Sequence, residues 1–87
     1  MKLAAPKLTN EQRTLLDDTV LAVLRAQPQA ARFHTIDEAV RERLRDKLPS
    51  RDVWFRYTDS ALQRLRKRGL ATMKYQRWSP APRKEAP

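Results

Sequence analysis

Between Thr58 and Trp78 the chain, TDSALQRLRKRGLATMKYQRW, changes its period once, at the single glycine among its 87 residues. Before Gly69, the apolar residues Ala61, Leu62 and Leu65 recur at helical spacing; after it, Leu70, Ala71, Met73 and Trp78 suit short extended segments. Glycine adopts positive φ without steric penalty and commonly ends a helix. The stretch therefore reads as a helix, a glycine stop and a hairpin, with Thr58 a candidate N-cap. The same stretch holds the charge. Residues 60–84 carry eight Lys or Arg and no Asp or Glu, whereas residues 1–59 carry eleven basic against nine acidic side chains. Nearly all of the net +9 lies in the last third.

The remainder of the chain reads as helices that support this segment. Thr9-Asn10-Glu11-Gln12 is a capping box, in which the Thr hydroxyl accepts from the third helical amide and Gln12 reaches back. Leu15, Leu16, Val20, Val23 and Leu24 then form an apolar stripe, and Pro28 restricts Gln27, so a first helix should close near Ala26. Arg32, Phe33 and His34 fit a one-rung strand or an extended linker. A second box, Thr35 to Glu38, predicts a helix from Ile36 to about Lys47 that buries Ile36, Ala39, Val40, Leu44 and, at its end, Leu48. Its outer face mixes Arg41, Glu42, Arg43, Arg45 and Asp46 in the manner of a solvated helix, and no function is assigned to it.

Two starts are open for the third helix. Beginning at Asp52, it would run for about 17 residues with Trp54, Phe55, Thr58, Ala61, Leu62 and Leu65 on one side. Beginning at Thr58, it would have the usual length and a strong capping residue, which favours that start. Either way Trp54 and Phe55 belong to the core. The hairpin is expected to pair Leu70–Met73 with Gln76–Ser79 about Lys74 and Tyr75, folding Trp78 over the core. Residues 1–8 read as a flexible arm and 80–87 as a Pro-rich disordered tail, leaving one domain at 9–79 with a core of about a dozen apolar side chains.

Composition narrows the chemistry. The chain has no cysteine and one histidine, His34, so disulfides and His/Cys metal sites are excluded. A single glycine leaves no glycine-rich phosphate loop, and His34 has no nucleophile or carboxylate in a recognisable arrangement, so neither a cofactor nor catalysis is expected. Asp17 with Asp18, and Asp37 with Glu38, read as helix-terminus or surface acids. The N-terminus MKLAAPKLT contains no signal-type apolar run and no span, so a cytoplasmic protein off the membrane is expected. A pI near 10.9 asks for a polyanionic partner.

The order helix, short strand, helix, helix, two-stranded wing resembles a winged helix-turn-helix domain. Ser60 to Leu70, SALQRLRKRGL, is similar to the end of the recognition helix and the start of the wing in bacterial winged-helix regulators. The fold implied is mainly α with a small β-hairpin: three helices plus a two- to three-stranded wing. The function implied is sequence-specific binding of double-stranded DNA by a small transcriptional or phage/mobile-element regulator, nucleoid-associated in the cell, as monomer or homodimer. The resemblance puts the third helix in the major groove, with Ser60, Gln63, Arg64 and Lys67 facing the bases and Arg68 at their flank. Lys74 and Arg77 fall in the wing, and Tyr75 at its tip. The chain departs from the family in its very short wing and in its aromatic connector before the third helix.

The physical case is that a major groove about 12 Å wide admits one helix, from which Arg can bond guanine and Gln adenine in bidentate fashion. A solvated helix end, where cations suit the negative end of the dipole, explains Arg64 to Arg68 equally well. It does not explain the missing acids across 25 positions. Lys74, Arg77, Arg83 and Lys84 fit phosphate contacts rather than base reading. Tyr75 could stack on a base or simply face water, whereas Trp54, Phe55 and Trp78 have the apolar neighbours of core residues. The alternative from a different class is a protein-interaction adaptor using the same basic face, with only non-specific nucleic-acid affinity.

Overall fold

The first helix begins where its capping box stands: Thr9 Oγ1 accepts from the Gln12 amide at 3.1 Å and Gln12 Oε1 accepts from the Thr9 amide at 2.9 Å. The computed structural model of the chain describes residues 7–48 and 54–81. Its elements are α1 (Asn10–Ala26), β1 (Ala31–Arg32), α2 (Phe33–Arg43), α3 (Trp54–Lys67), β2 (Ala71–Lys74) and β3 (Arg77–Pro80). Helix α1 closes at Ala26, as Pro28 requires, with Gln27 already extended. Leu16, Val20, Val23 and Leu24 are buried, but Leu15 is exposed and Asp17 takes an inward place instead.

Helix α2 starts earlier than its sequence suggests. Ala31 and Arg32 pair antiparallel with Trp78 and Arg77, and the helix follows at Phe33 with Arg32 as an N-cap that makes no side-chain bond. The box at Thr35–Glu38 is therefore not used as a cap, because pairing with β3 fixes the chain up to Arg32 and starts the helix before Thr35. Phe33 packs against the core edge as a result. The helix also ends sooner, at Arg43, where the chain tightens. Leu44 N donates to Val40 O at 3.0 Å and Lys47 N to Leu44 O at 2.9 Å. That turn carries both Leu44 and Leu48 into the core.

Helix α3 is already formed at Trp54, so the favoured start at Thr58 is incorrect. Thr58 is fully buried, and its hydroxyl donates to Asp37 Oδ1 at 2.7 Å instead of capping a helix. The region around Asp52 lies outside the described residues. Trp54, Tyr57, Thr58, Ala61, Leu62 and Leu65 form the inward face. Tyr57 meets Trp54 edge-on at 6.4 Å between centroids, and burial pushes its phenol above the ordinary pKa. Phe55, expected in the core, is 48% exposed because it falls just past the edge of that arc.

Gly69 ends α3 as expected, at φ +75°. Its amide donates to Arg66 O at 3.0 Å and that of Leu70 to Leu65 O at 2.8 Å, the paired bonds of a Schellman turn. The hairpin turn falls one residue later than expected, on Tyr75 and Gln76, both at positive φ of 52° and 61°. A two-residue turn of this hand matches the strand twist and sets Met73 opposite Trp78 and Lys74 opposite Arg77. With Lys74 and Arg77 the bonded pair beside the turn, Ala71 and Pro80 become a pair that exchanges no hydrogen bonds, so the missing proline N–H costs nothing. The expected boundary at residue 79 moves outward, since β3 includes Pro80 and Ala81 N donates to Leu70 O at 2.9 Å.

The sheet order is β1-β3-β2, all antiparallel. Its inner face delivers Trp78 and Ala71 to a core of fifteen buried apolar residues among those described, shared with all three helices. Truncating Trp78 to alanine should destabilise the domain by about 3–5 kcal/mol.

Candidate nucleic-acid interface

With its apolar arc turned inward, α3 presents the opposite arc to solvent. Arg56, Ser60, Gln63 and Lys67 follow one another at i, i+4, i+7 and i+11, so they form a single line of exposed side chains along the helix. Phe55, Asp59 and Arg66 flank it, also exposed. The sequence reading missed Arg56 and Arg66. A helix starting at Thr58 leaves Arg56 outside it, whereas from Trp54 the helical period places Arg56 on the outer line; Arg66 lies in the helix with either start, at the edge of that line.

Of the residues expected at the interface, Ser60, Gln63 and Lys67 stand on this line. Arg68 is exposed in the turn after the helix, where its amide donates to Arg64 O at 3.0 Å. Lys74 and Arg77 face each other at the base of the hairpin turn, both exposed. Tyr75 is 86% exposed at the tip, with Lys74 Nζ 5.5 Å from its ring centroid.

Arg64 does not share the outer line. Its Nε donates to Asp17 Oδ2 at 3.0 Å and its terminal nitrogen to Oδ1 at 2.7 Å, a bidentate pair between α3 and α1. The physical reason is its angular position: three residues beyond Ala61, it borders the buried arc on the side that meets α1. Asp17, expected at the surface, is 8% exposed, and Asp37 is 7% exposed. Asp37 accepts from the Thr58 hydroxyl with one oxygen and from Arg41 Nε at 3.0 Å with the other. Two buried carboxylates thus tie α3 to α1 and to α2. The signal was in the sequence, because Asp17 keeps helical register with Val20 and Leu24, and Asp37 adjoins Ile36 and precedes Val40 by three.

Two clefts border the exposed line. One, of about 250 Å³ between the start of α1 and α3, is lined by Arg13, Arg56, Ser60 and Arg64 among others. It brings Arg13, which the sequence reading left unassigned, beside the α3 residues. The other, of about 410 Å³, is lined by Phe33, Phe55, Arg56, Asp59 and Ser60. His34 lies apart on α2, its Nε2 3.2 Å from Glu38 Oε1. Among the described residues no group of three His, Cys, Asp or Glu side chains is placed to hold a metal ion, and no helix is long and apolar enough to cross a membrane. Comparison of the chain with protein-family models, with curated proteins and with solved structures found no match.

Proposed function

We propose that this chain is a winged helix-turn-helix protein that binds double-stranded DNA, laying α3 in the major groove and the β2–β3 hairpin against the backbone. The observation that carries the reading is the exposed line Arg56, Ser60, Gln63, Lys67 on a helix braced from behind by Asp17 and Asp37. A groove reader needs donors one turn apart on a helix whose position is fixed. Gln63 is suited to adenine and Arg56 or Lys67 to guanine. Arg13, Arg66, Arg68, Lys74 and Arg77 are suited to phosphates. The element order supports the fold assignment, with β1 completing a three-stranded sheet beside the wing. The biological role in keeping with this size is a small transcriptional or mobile-element regulator.

If about six cations meet phosphates, affinity should fall about a thousandfold between about 50 and about 200 mM salt. The test is selection from a random duplex library at those two salt concentrations, with the bound DNA sequenced. A motif that persists at the higher salt supports the reading; binding that disappears and leaves no motif refutes it. The adaptor reading draws on a specific feature, the half-exposed Phe55 and the Asp59 carboxylate beside the outer line. An apolar ring and an acid fit a protein surface better than a phosphate backbone. In that case the library yields no motif and Phe55→Ala abolishes a stoichiometric protein complex.

A further inference from the structure

We infer that the solvent face of the sheet carries a phosphoryl-binding site, centred on Arg32 and Arg77 and separate from the α3 surface. Strand register sets Lys74 opposite Arg77 and Arg77 opposite Arg32, so three cations stand in a row across three strands, all exposed. Like charges directly opposite in a sheet repel and destabilise it. No carboxylate among the described residues relieves this row: the close carboxylate contacts among them go to His34, Arg41 and Arg64. An arrangement that is unfavourable alone becomes favourable when an anion bridges it.

Geometry supplies the place for that anion. Arg32 and Arg77 line a cleft of about 310 Å³ together with Gln27 and Thr35, and no acidic residue lines it. Two guanidinium forks, a hydroxyl and an amide are the donor types that satisfy a tetrahedral oxyanion. Thr35 lies in the first turn of α2, which has no acidic residue and no side-chain cap to neutralise its positive end. The volume is at the low end for small-molecule sites, so a phosphate group fits better than a whole nucleotide with its base. The same chemistry is offered by a phosphodiester of bound nucleic acid and by free phosphate. The site does not depend on α3 reading DNA.

The experiment follows the arginine Nε–Hε signals of the full chain by NMR while inorganic phosphate, or sodium chloride at matched ionic strength, is added; a short duplex is titrated separately. Melting temperature is read in parallel. Saturable movement of the Arg32 and Arg77 signals with phosphate but not chloride is expected. With it should come a rise of several degrees in melting temperature at roughly tenfold excess over half-saturation. Arg32→Gln should remove both responses yet melt higher than the parent in chloride, since it relieves the repulsion; Arg77→Gln should behave alike and covers a failure of the first variant to fold. Lys47→Gln, exposed in the turn after α2 and outside both surfaces, should leave the phosphate response intact.

Movement with the duplex alone, retained in Lys47→Gln and lost in Arg32→Gln, would also support the site and would identify its occupant as the nucleic-acid backbone. Equal responses to chloride and phosphate, or none to phosphate and duplex alike, overturn the inference. A phosphate response in a protein that selects no DNA motif leaves this site standing while the α3 reading fails.

Discussion

Replacing Arg64 with alanine separates a residue that braces α3 from one that reads DNA. Its guanidinium bonds Asp17 through two nitrogens, with side-chain exposures of 32% and 10% for Arg64 and Asp17. An exposed pair contributes about 0.2–1 kcal/mol, whereas removing one partner of a fully buried pair costs about 3–5 kcal/mol. This pair lies between those limits, so Arg64→Ala should cost about 2 kcal/mol and lower the melting temperature by about 8–16 °C. The asymmetry is the sharper test. Losing Arg64 strands a buried carboxylate, while Asp17→Ala leaves a partly exposed arginine that can turn to water, at about 1 kcal/mol. The double variant should be less destabilised than Arg64→Ala alone, with a coupling of about 1.5 kcal/mol in a urea-unfolding cycle. On DNA, Arg64→Ala should weaken binding by a similar factor at every site position. Additive stabilities, together with loss of preference at one base pair only, would show that Arg64 faces the groove and that the brace is misread.

Substitutions at three further places test the fold. Gly69→Ala should cost about 1 kcal/mol by urea unfolding. Its φ is +75° and nothing lies within 4 Å of an added Cβ, so D-alanine at this position should restore stability. Thr58→Val keeps the shape but removes the donor to Asp37, and should cost about 1–3 kcal/mol; Thr58→Ser should keep the hydrogen bond and cost less. Replacing Tyr75-Gln76 by Asn-Gly relieves two positive-φ residues and should raise stability by about 1–2 kcal/mol with an unchanged urea m-value.

Local rules sufficed where one residue decides the backbone. The Thr9 box, the Pro28 stop and Gly69 were legible because each acts within a turn of its own position. The errors arose where a distant partner outweighed a local preference. Thr35 and Thr58 both look like caps, yet β3 starts α2 before Thr35, and Asp37, 21 residues away, claims the Thr58 hydroxyl. The hairpin was displaced by one residue because no glycine or asparagine marks the turn; the pairing of Trp78 with Met73 and Ala31 places it. The same logic governs the candidate interface. Ser60, Gln63 and Lys67, which the winged-helix resemblance implied, are exposed on one line of α3; Arg56 was hidden by the helix start, and Arg64 was misplaced because its destination is a carboxylate 47 residues away.

The central claim, that the outer line of α3 reads duplex DNA, is tested most directly by measuring how Gln63→Ala and Lys74→Ala change binding across all single-base variants of the selected site. The account predicts that Gln63→Ala abolishes discrimination at one base pair, about 1–3 kcal/mol, and leaves the others unchanged. Lys74→Ala should weaken every variant alike and reduce the salt slope by about one. A uniform loss from Gln63→Ala, or no loss, would contradict it.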